Sequence, residues 1–304
     1  MLPNFLCIGA QKSGTTTLLR QLGKHPDIFM SPARETRFFL TDYLYSQGLD
    51  AYEIDFFAEW NGEKAAGEKT PEYLCDPLVP RRIYESLGQE MKFIATFRSP
   101  AQRAYAQYRH NFQYLRETVD FDNALALEPA RCQLGRYHTL RFGYLWRGRY
   151  ADQIERYLEY FPKGAFFFVV YEDDIVREQA QTLSSIFEFL GVDTGFDPGG
   201  DVSAGRSLTL EPTIVETGQT IDLDGVGVEA KRGDILLTRR GIRSRLIRNP
   251  SPSLTARAKA AQQHLPQEFS LPRTKELELN NTHFRDCILR LQDILDRDLH
   301  FWLQ

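Results

Sequence analysis

Short, wholly apolar runs alternate along this chain with longer segments whose apolar residues recur every three or four positions. Phe5-Leu6-Cys7-Ile8 is the first run. It leads into a glycine-containing loop, and a helix is predicted from about Thr15 to Gly23. Strand, tight loop and helix make the first half of a βαβ unit. Met91 to Phe97 reads as another buried strand, with a helix beginning near Pro100, since proline suits the first helical turn. Ala165 to Tyr171 is a third, very apolar strand. A helix from about Ile175 to Leu190 follows and ends at Gly191, a C-cap. A shorter strand is predicted at about Ala65 to Glu68. Strands that are apolar on both faces and alternate with helices predict an α/β fold, a three-layer sandwich with a central, mainly parallel sheet flanked by helices.

Phe142 to Phe161 is predicted as one long helix. Near the end, Ile288, Leu291, Leu295, Leu299 and Trp302 recur at helical spacing and predict a terminal helix docked on the core. From Gly195 to about Pro252 the pattern changes to glycines, threonines and short β-like runs such as Ile235-Leu236-Leu237. This region reads as an insertion or cap, at about residues 195–252, on a single domain spanning 1–304. Within it, Lys231, Arg232, Arg239, Arg240, Arg243, Arg245 and Arg248 stand against one acid, Asp234. Two readings stay open there: a solvated basic face, or a flap over an anionic ligand.

Composition narrows the function classes. The chain has 304 residues, 42% of them hydrophobic, so it can bury a substantial core. A net charge of −4 gives no global attraction to nucleic acid or to an anionic membrane, and any anionic ligand must be held by local geometry. Cys7, Cys75, Cys132 and Cys287 lie far apart with no CxxC pair, which points to free thiols in a reducing compartment and to no metal site. His25, His138, His264, His283 and His300 show no metal-ligand spacing. No apolar run approaches a membrane span. Asn4, Gln11 and Lys12 interrupt any signal-peptide core, so a cytoplasmic location is expected.

The chemistry concentrates in the first loop, Gly9-Ala10-Gln11-Lys12-Ser13-Gly14-Thr15-Thr16-Thr17. A loop between a strand and a helix N-terminus offers unpaired N–H groups and the positive end of the helix dipole. Gln11, Lys12, Ser13, Gly14, Thr15, Thr16 and Thr17 supply a close backbone approach, a point charge and hydroxyl donors. The order differs from the Walker A pattern, in which lysine directly follows the last glycine; here Lys12 precedes Gly14. Gly-x-x-Lys-x-Gly-Thr-Thr resembles the 5′-phosphosulfate loop of sulfotransferases that use 3′-phosphoadenosine 5′-phosphosulfate (PAPS). It looks closest to the branch holding the heparan sulfate sulfotransferase domains and their bacterial relatives.

Further segments carry the resemblance in family order. Arg98-Ser99-Pro100-Ala101-Gln102-Arg103-Ala104-Tyr105-Ala106-Gln107-Tyr108 is similar to the family's 3′-phosphate segment, Arg-x-Pro-x-x-Arg-x-x-Ser-x-Tyr. The resemblance assigns Arg98 to that phosphate, whereas Ala106 stands where the family has serine. Arg34-Glu35-Thr36-Arg37-Phe38-Phe39 places Glu35 where the family has its proposed base. Glu68-Lys69-Thr70-Pro71-Glu72-Tyr73 is like a segment that lines the family's cleft. Gly148-Arg149-Tyr150 is like a helix opening, and Arg206 stands where a Gly-Arg contact to the 3′-phosphate is expected. The match runs through most of residues 5 to 191; the region 195 to 250 fits poorly and lacks the cysteine-closed loop of the animal glycan enzymes.

The resemblance implies a P-loop-like fold and transfer of a sulfuryl group from PAPS, with the desulfated 3′,5′-bisphosphate (PAP) as product. No metal is expected. The implied acceptor is a hydroxyl or amine on a carbohydrate or small molecule; no nucleic acid partner and no integral membrane segment are expected. Lys12 would neutralise the leaving group. Glu35 is the first choice as general base and His110 its rival, since histidine titrates near neutrality unaided. Lys69 would steady the acceptor or the sulfuryl oxygens, or else pair with Glu68 or Glu72 at the surface. Two other readings stay open: a nucleotide kinase or NTPase, and a non-catalytic PAPS- or glycan-binding protein. The first needs a metal-binding acid after a second strand, and the strand ending at Phe97 runs into Arg98 instead.

Overall fold

Five parallel strands carry the core, in the order β2-β3-β1-β4-β5. They are β1 (Phe5–Gly9), β2 (Ile28–Met30), β3 (Ala65–Lys69), β4 (Lys92–Phe97) and β5 (Phe166–Val170). The computed structural model describes residues 1–199, 210–215, 219–223, 226–232, 234–239, 245–248, 250–264, 266 and 270–304. Its register pairs Cys7 with Lys69 on one side of β1 and with Ile94 on the other. The three expected main strands and the short Ala65 strand are all present, and β2 adds a short edge that the apolar pattern does not announce.

The helices of the first half are α1 (Thr15–Leu22), α2 (Asp42–Ser46), α3 (Gly48–Phe57), α4 (Val79–Leu87) and α5 (Pro100–Gln113). They are followed by α6 (Phe121–Cys132), α7 (Arg136–Phe142), α8 (Tyr150–Leu158) and α9 (Gln179–Leu190). Strand alternation explains the layering. Phe5, Cys7, Ile94 and Val169 pack with Leu18, Leu19 and Leu22 of α1 and with Leu183, Ile186, Phe187 and Leu190 of α9. On β4, Phe93 instead meets Tyr157 and Phe161, with ring centroids 5.6 and 4.7 Å apart. Phe97 meets Tyr150 at 5.1 Å. Full burial of each such side chain contributes roughly 1.5–3 kcal/mol.

Of the long helix expected from Phe142 to Phe161, only Tyr150–Leu158 is α-helical, as α8. At Gly143, ψ of 74° leaves the helical region, and a Cβ there would stand 2.5 Å from the Thr139 carbonyl oxygen. A short 3₁₀ turn, Trp146–Gly148, intervenes before α8. The segment after β5 also departs from expectation: Tyr171–Ile175 forms a π-helical turn, and α9 begins only at Gln179. Gly191, with φ 79°, caps α9 as predicted.

The described residues divide into two compact units. The first comprises Met1–Arg103, Arg147–Gly205 and Leu277–Gln304 and contains the parallel sheet. The second comprises Ala104–Trp146 and Arg206–Glu276. It holds β6 (Leu210–Ile214), β7 (Gln219–Leu223), β8 (Val226–Ala230), β9 (Ile235–Arg239), β10 (Arg245–Ile247) and α10 (Pro252–Gln263). These strands form an antiparallel sheet β10-β9-β6 and a hairpin β7-β8. Ile235-Leu236-Leu237 lies in β9, as its β-like pattern suggested. Of the basic stretch, Lys231, Arg232 and Arg248 are exposed, and Arg240 and Arg243 lie outside the described residues. The chain ends with α11 (Arg273–Leu279) and α12 (Arg285–Leu295), the latter packed on α8. Ile288, Leu291, Leu295, Leu299 and Trp302 are all buried, although the helix stops at Leu295 because Asp296 turns left-handed at φ 54°. No helix among the described residues is long and apolar enough to cross a membrane.

Candidate functional site

β1 delivers the chain into a tight loop, and α1 begins at Thr15 on its far side. Gly14 has φ +89°, and a Cβ there would lie 2.7 Å from Cδ2 of Tyr171, so only glycine fits. Lys12 also adopts a left-handed conformation, at φ 73°. The backbone N–H groups of Lys12, Gly14, Thr15 and Thr16 donate to no protein acceptor among the described residues. Ser13 Oγ is buried without a hydrogen-bond partner. Unfilled N–H donors at the positive end of a helix form a cradle of the kind that suits an anion.

Two cations converge on the loop. Lys69, at the end of β3, is buried, and its Nζ donates to Thr16 Oγ1 at 3.1 Å. The alternative expectation, a surface pairing of Lys69 with Glu68 or Glu72, is therefore replaced by a contact to α1. Lys12 is half-buried; burial first, and the Arg34 charge second, bring its ammonium down to about 8.

Glu35 lies in the loop after β2, which is latched from beneath. Arg37 N–H donates to Thr70 Oγ1 at 3.0 Å, Phe39 N–H donates to Tyr73 Oη at 3.2 Å, and Thr36 Oγ1 lies 3.1 Å from that same oxygen. Thr70 Oγ1 donates in turn to the buried Glu68 at 3.0 Å. Burial, then the neighbouring Glu72 charge, raise the Glu35 carboxyl above the usual range; Lys69, Arg34 and Arg37 oppose the rise. A half-buried carboxylate whose proton affinity is raised, set among cations, suits a general base.

A third group of contacts joins the loop to β4 and β5. The Arg98 guanidinium stacks over the Tyr171 ring at 5.0 Å, and Tyr171 is the side chain against which Gly14 is fitted. Tyr150 Oη donates to the Arg98 carbonyl at 3.1 Å. Ser99 N–H donates to Glu172 at 3.0 Å, and Asn280 bonds both Ser99 Oγ and Ala101 N–H, at 3.0 and 3.1 Å. One aromatic ring, that of Tyr171, thus lies between the loop at Gly14 and the Arg98 guanidinium.

A family model described as the sulfotransferase domain matches residues 2–202, a stretch that contains the loop, Glu35, Lys69 and Arg98. The chain belongs to the sulfotransferase domain family. Human heparan sulfate glucosamine 3-O-sulfotransferase 6 is 33% identical over 190 residues, covering 62% of this chain and 52% of that protein. Human bifunctional heparan sulfate N-deacetylase/N-sulfotransferase 2 is 30% identical over 211 residues, covering 63% of this chain and 22% of that protein. The chain thus spans about half the length of the first of these relatives and less of the second. A crystal structure of a sulfotransferase from Alicyclobacillus acidocaldarius aligns over 100% of both chains, with a TM-score of 0.68 at 25% identity. The five-stranded parallel sheet flanked by helices is the fold expected of this family.

Within this sulfotransferase domain the first unit gathers Gln11, Lys12, Ser13, Gly14, Thr15, Thr16, Thr17, Glu35, Lys69 and Arg98. His110, the rival base, is a half-buried residue of α5 in the second unit, its ring 4.9 Å from that of Tyr114. Arg206 lies outside the described residues. Sequence reasoning missed Arg147 and Tyr171 and underrated Glu72. Arg147 is buried, and its Nη1 donates to Gln11 Oε1 at 2.9 Å; the amide of Gln11 then donates to Glu72 Oε1 at 3.3 Å. The Arg-Gly-Arg-Tyr run marks the turn, yet nothing in it says which arginine faces inward. Tyr171 closes an apolar strand and reads there as core.

Proposed function

We propose that this chain transfers a sulfuryl group from PAPS to a hydroxyl or amine of a carbohydrate or small-molecule acceptor. The observation that carries the reading is the cradle of unfilled donors, the orphaned buried Ser13 Oγ included, with Lys12 in the loop itself and Lys69 reaching Thr16. The residues present fit a phosphosulfate at the loop and a second phosphate at Arg98, with Tyr171 between. Bound there, PAPS supplies an activated sulfuryl group on a phosphate leaving group.

The loop N–H groups and the hydroxyls of Ser13, Thr15, Thr16 and Thr17 hold the 5′-phosphate. Lys12 neutralises charge growing on the leaving oxygen, in an environment where that charge is poorly solvated. Glu35 takes the acceptor proton as the new bond to sulfur forms and the sulfur–phosphate oxygen bond breaks. Lys69 orients Thr16 and balances the charge of Glu35. Names of the human relatives refer to heparan sulfate, which favours a carbohydrate acceptor.

Calorimetry with PAP, ATP and GTP, each with and without Mg²⁺, tests the donor. Tight, metal-independent PAP binding is expected; a preference for Mg²⁺-ATP would overturn the reading in favour of a kinase or NTPase. An acceptor screen with labelled PAPS then compares Glu35→Gln with His110→Ala. Loss of transfer in Glu35→Gln alone is expected, and an unimpaired Glu35→Gln would make His110 the base. Tight PAP binding with no transfer to any acceptor class would leave a non-catalytic binding protein.

A further inference from the structure

Glu72 sits where three parts of the site meet. Its Oε1 accepts from the Gln11 amide at 3.3 Å and faces Arg37 Nη2 at 3.9 Å. Gln11 is in turn fixed by Arg147 at 2.9 Å. A chain of contacts, Arg147–Gln11–Glu72–Arg37, therefore runs from the residue beside Lys12 to the residue two beyond Glu35. The second carboxylate oxygen, Oε2, is buried without a hydrogen-bond partner among the described residues, in a side chain only 9% exposed. A buried charged acceptor left unsatisfied is costly, and such groups ask for an explanation beyond packing.

We propose that Glu72 is a positioning residue for sulfuryl transfer, tying the donor loop to the base loop through Gln11 and Arg37 and setting a second negative charge against Glu35. The inference rests on the transfer reading above and on Glu35 as base. Glu72 acts through Glu35: its charge makes the base hold its proton more tightly. The cations that face the pair are Lys69 from β3, Arg34 and Arg37 from the base loop, and Lys12 from the donor loop, with Arg147 reaching Lys12 from the turn before α8. They oppose Glu72, so the net position of Glu35 reflects a balance that one substitution tips.

The test needs no acceptor, so a failed acceptor screen leaves it intact. Carboxyl ¹³C signals of glutamate-labelled protein are followed by NMR from pH 3 to 9, with Glu35→Gln and Glu72→Gln assigning the two signals. In Glu72→Gln the Glu35 midpoint should fall, while Glu72→Asp, which keeps the charge, should restore it. Glu72→Ala, the second variant should Glu72→Gln not fold, carries the same expectation as Glu72→Gln. An unmoved Glu35 midpoint in a folded variant that lacks the charge overturns the proposal.

Discussion

Lys69 Nζ donates to Thr16 Oγ1 at 3.1 Å, which joins the end of β3 to the first turn of α1. The same ammonium holds down the proton affinity of Glu35. A single buried cation therefore serves the anion cradle and the proposed base together.

Replacing Lys69 by methionine removes the charge that favours ionised Glu35, so the Glu35 pKa rises. The acid limb of the pH–rate profile moves to higher pH, opposite in sign to Glu72→Gln. Transfer in Lys69→Met should fall at least about tenfold at pH 6 and less at pH 8, since a base contributes roughly 10²–10⁴-fold only when deprotonated. A pH-independent loss would assign Lys69 to the donor alone. Initial rates across pH 5.5–9 with a fixed acceptor decide between them.

Lys12 makes donor binding depend on pH. Its ammonium comes down to about 8 before any anion arrives, so the loop is cationic below that pH and neutral above it. A bound bisphosphate favours the charged form. PAP affinity is therefore full below about pH 8 and weakens as pH rises beyond it. Lys12→Ala should weaken PAP about 10–100-fold at pH 7, the loss of one charge-assisted contact, and should flatten the pH dependence. Titration calorimetry from pH 6.5 to 9.5 on both proteins reads it.

The cradle was legible because its chemistry is local. Strand, glycine, lysine, hydroxyls and helix follow one another within Phe5 to Leu22, and each is dictated by neighbours in sequence. Arg98 was legible for the same reason, at a strand end before a helix-starting proline. Arg147 was not, because its role depends on a break in what reads as one helix, made by the backbone at Gly143. Nor was the burial of Lys69: in sequence it stands between two acids, whereas β3 carries it inward to Thr16. Glu72 was seen only as a counter-ion, since contacts 35 and 61 residues away in the chain define it.

Glu68 links stability to pH. It is fully buried; the hydroxyls of Thr70 and Tyr52 donate to it at 3.0 and 3.4 Å and those of Tyr73 and Thr36 also favour its ionised form, yet burial outweighs them and pushes its carboxyl from 4.5 to about 7. Between those values the folded chain keeps the proton and the unfolded chain loses it. The contribution to stability is thus full below pH 4.5 and declines as pH rises to about 7, by on the order of 3 kcal/mol. Glu68→Gln keeps an uncharged acceptor in place. It should lose that decline, so that its denaturant midpoint falls less between pH 5 and pH 8 than that of the unaltered protein. Equal falls in the two proteins would show that Glu68 ionises freely in the fold.

Gly14 is the position where backbone and ligand requirements coincide, and the two can be separated. An alanine there faces the left-handed conformation, costing about 1–2 kcal/mol, and a Cβ 2.7 Å from the Tyr171 ring, costing about 1–3 kcal/mol as overpacking. The ring also carries Arg98 at 5.0 Å, so a displaced Tyr171 takes the proposed 3′-phosphate contact with it. Gly14→Ala should therefore lose stability and weaken PAP by about 100-fold or more. Tyr171→Ala alone loses the cation–π contact, about 0.5–2 kcal/mol, together with the ring's packing against the core. In the double variant the steric part vanishes and the backbone part remains, so the two substitutions should be less than additive in denaturation and in PAP binding. Strict additivity would mean that the left-handed backbone alone reserves this position for glycine, and that Tyr171 does not transmit the loop's shape to Arg98.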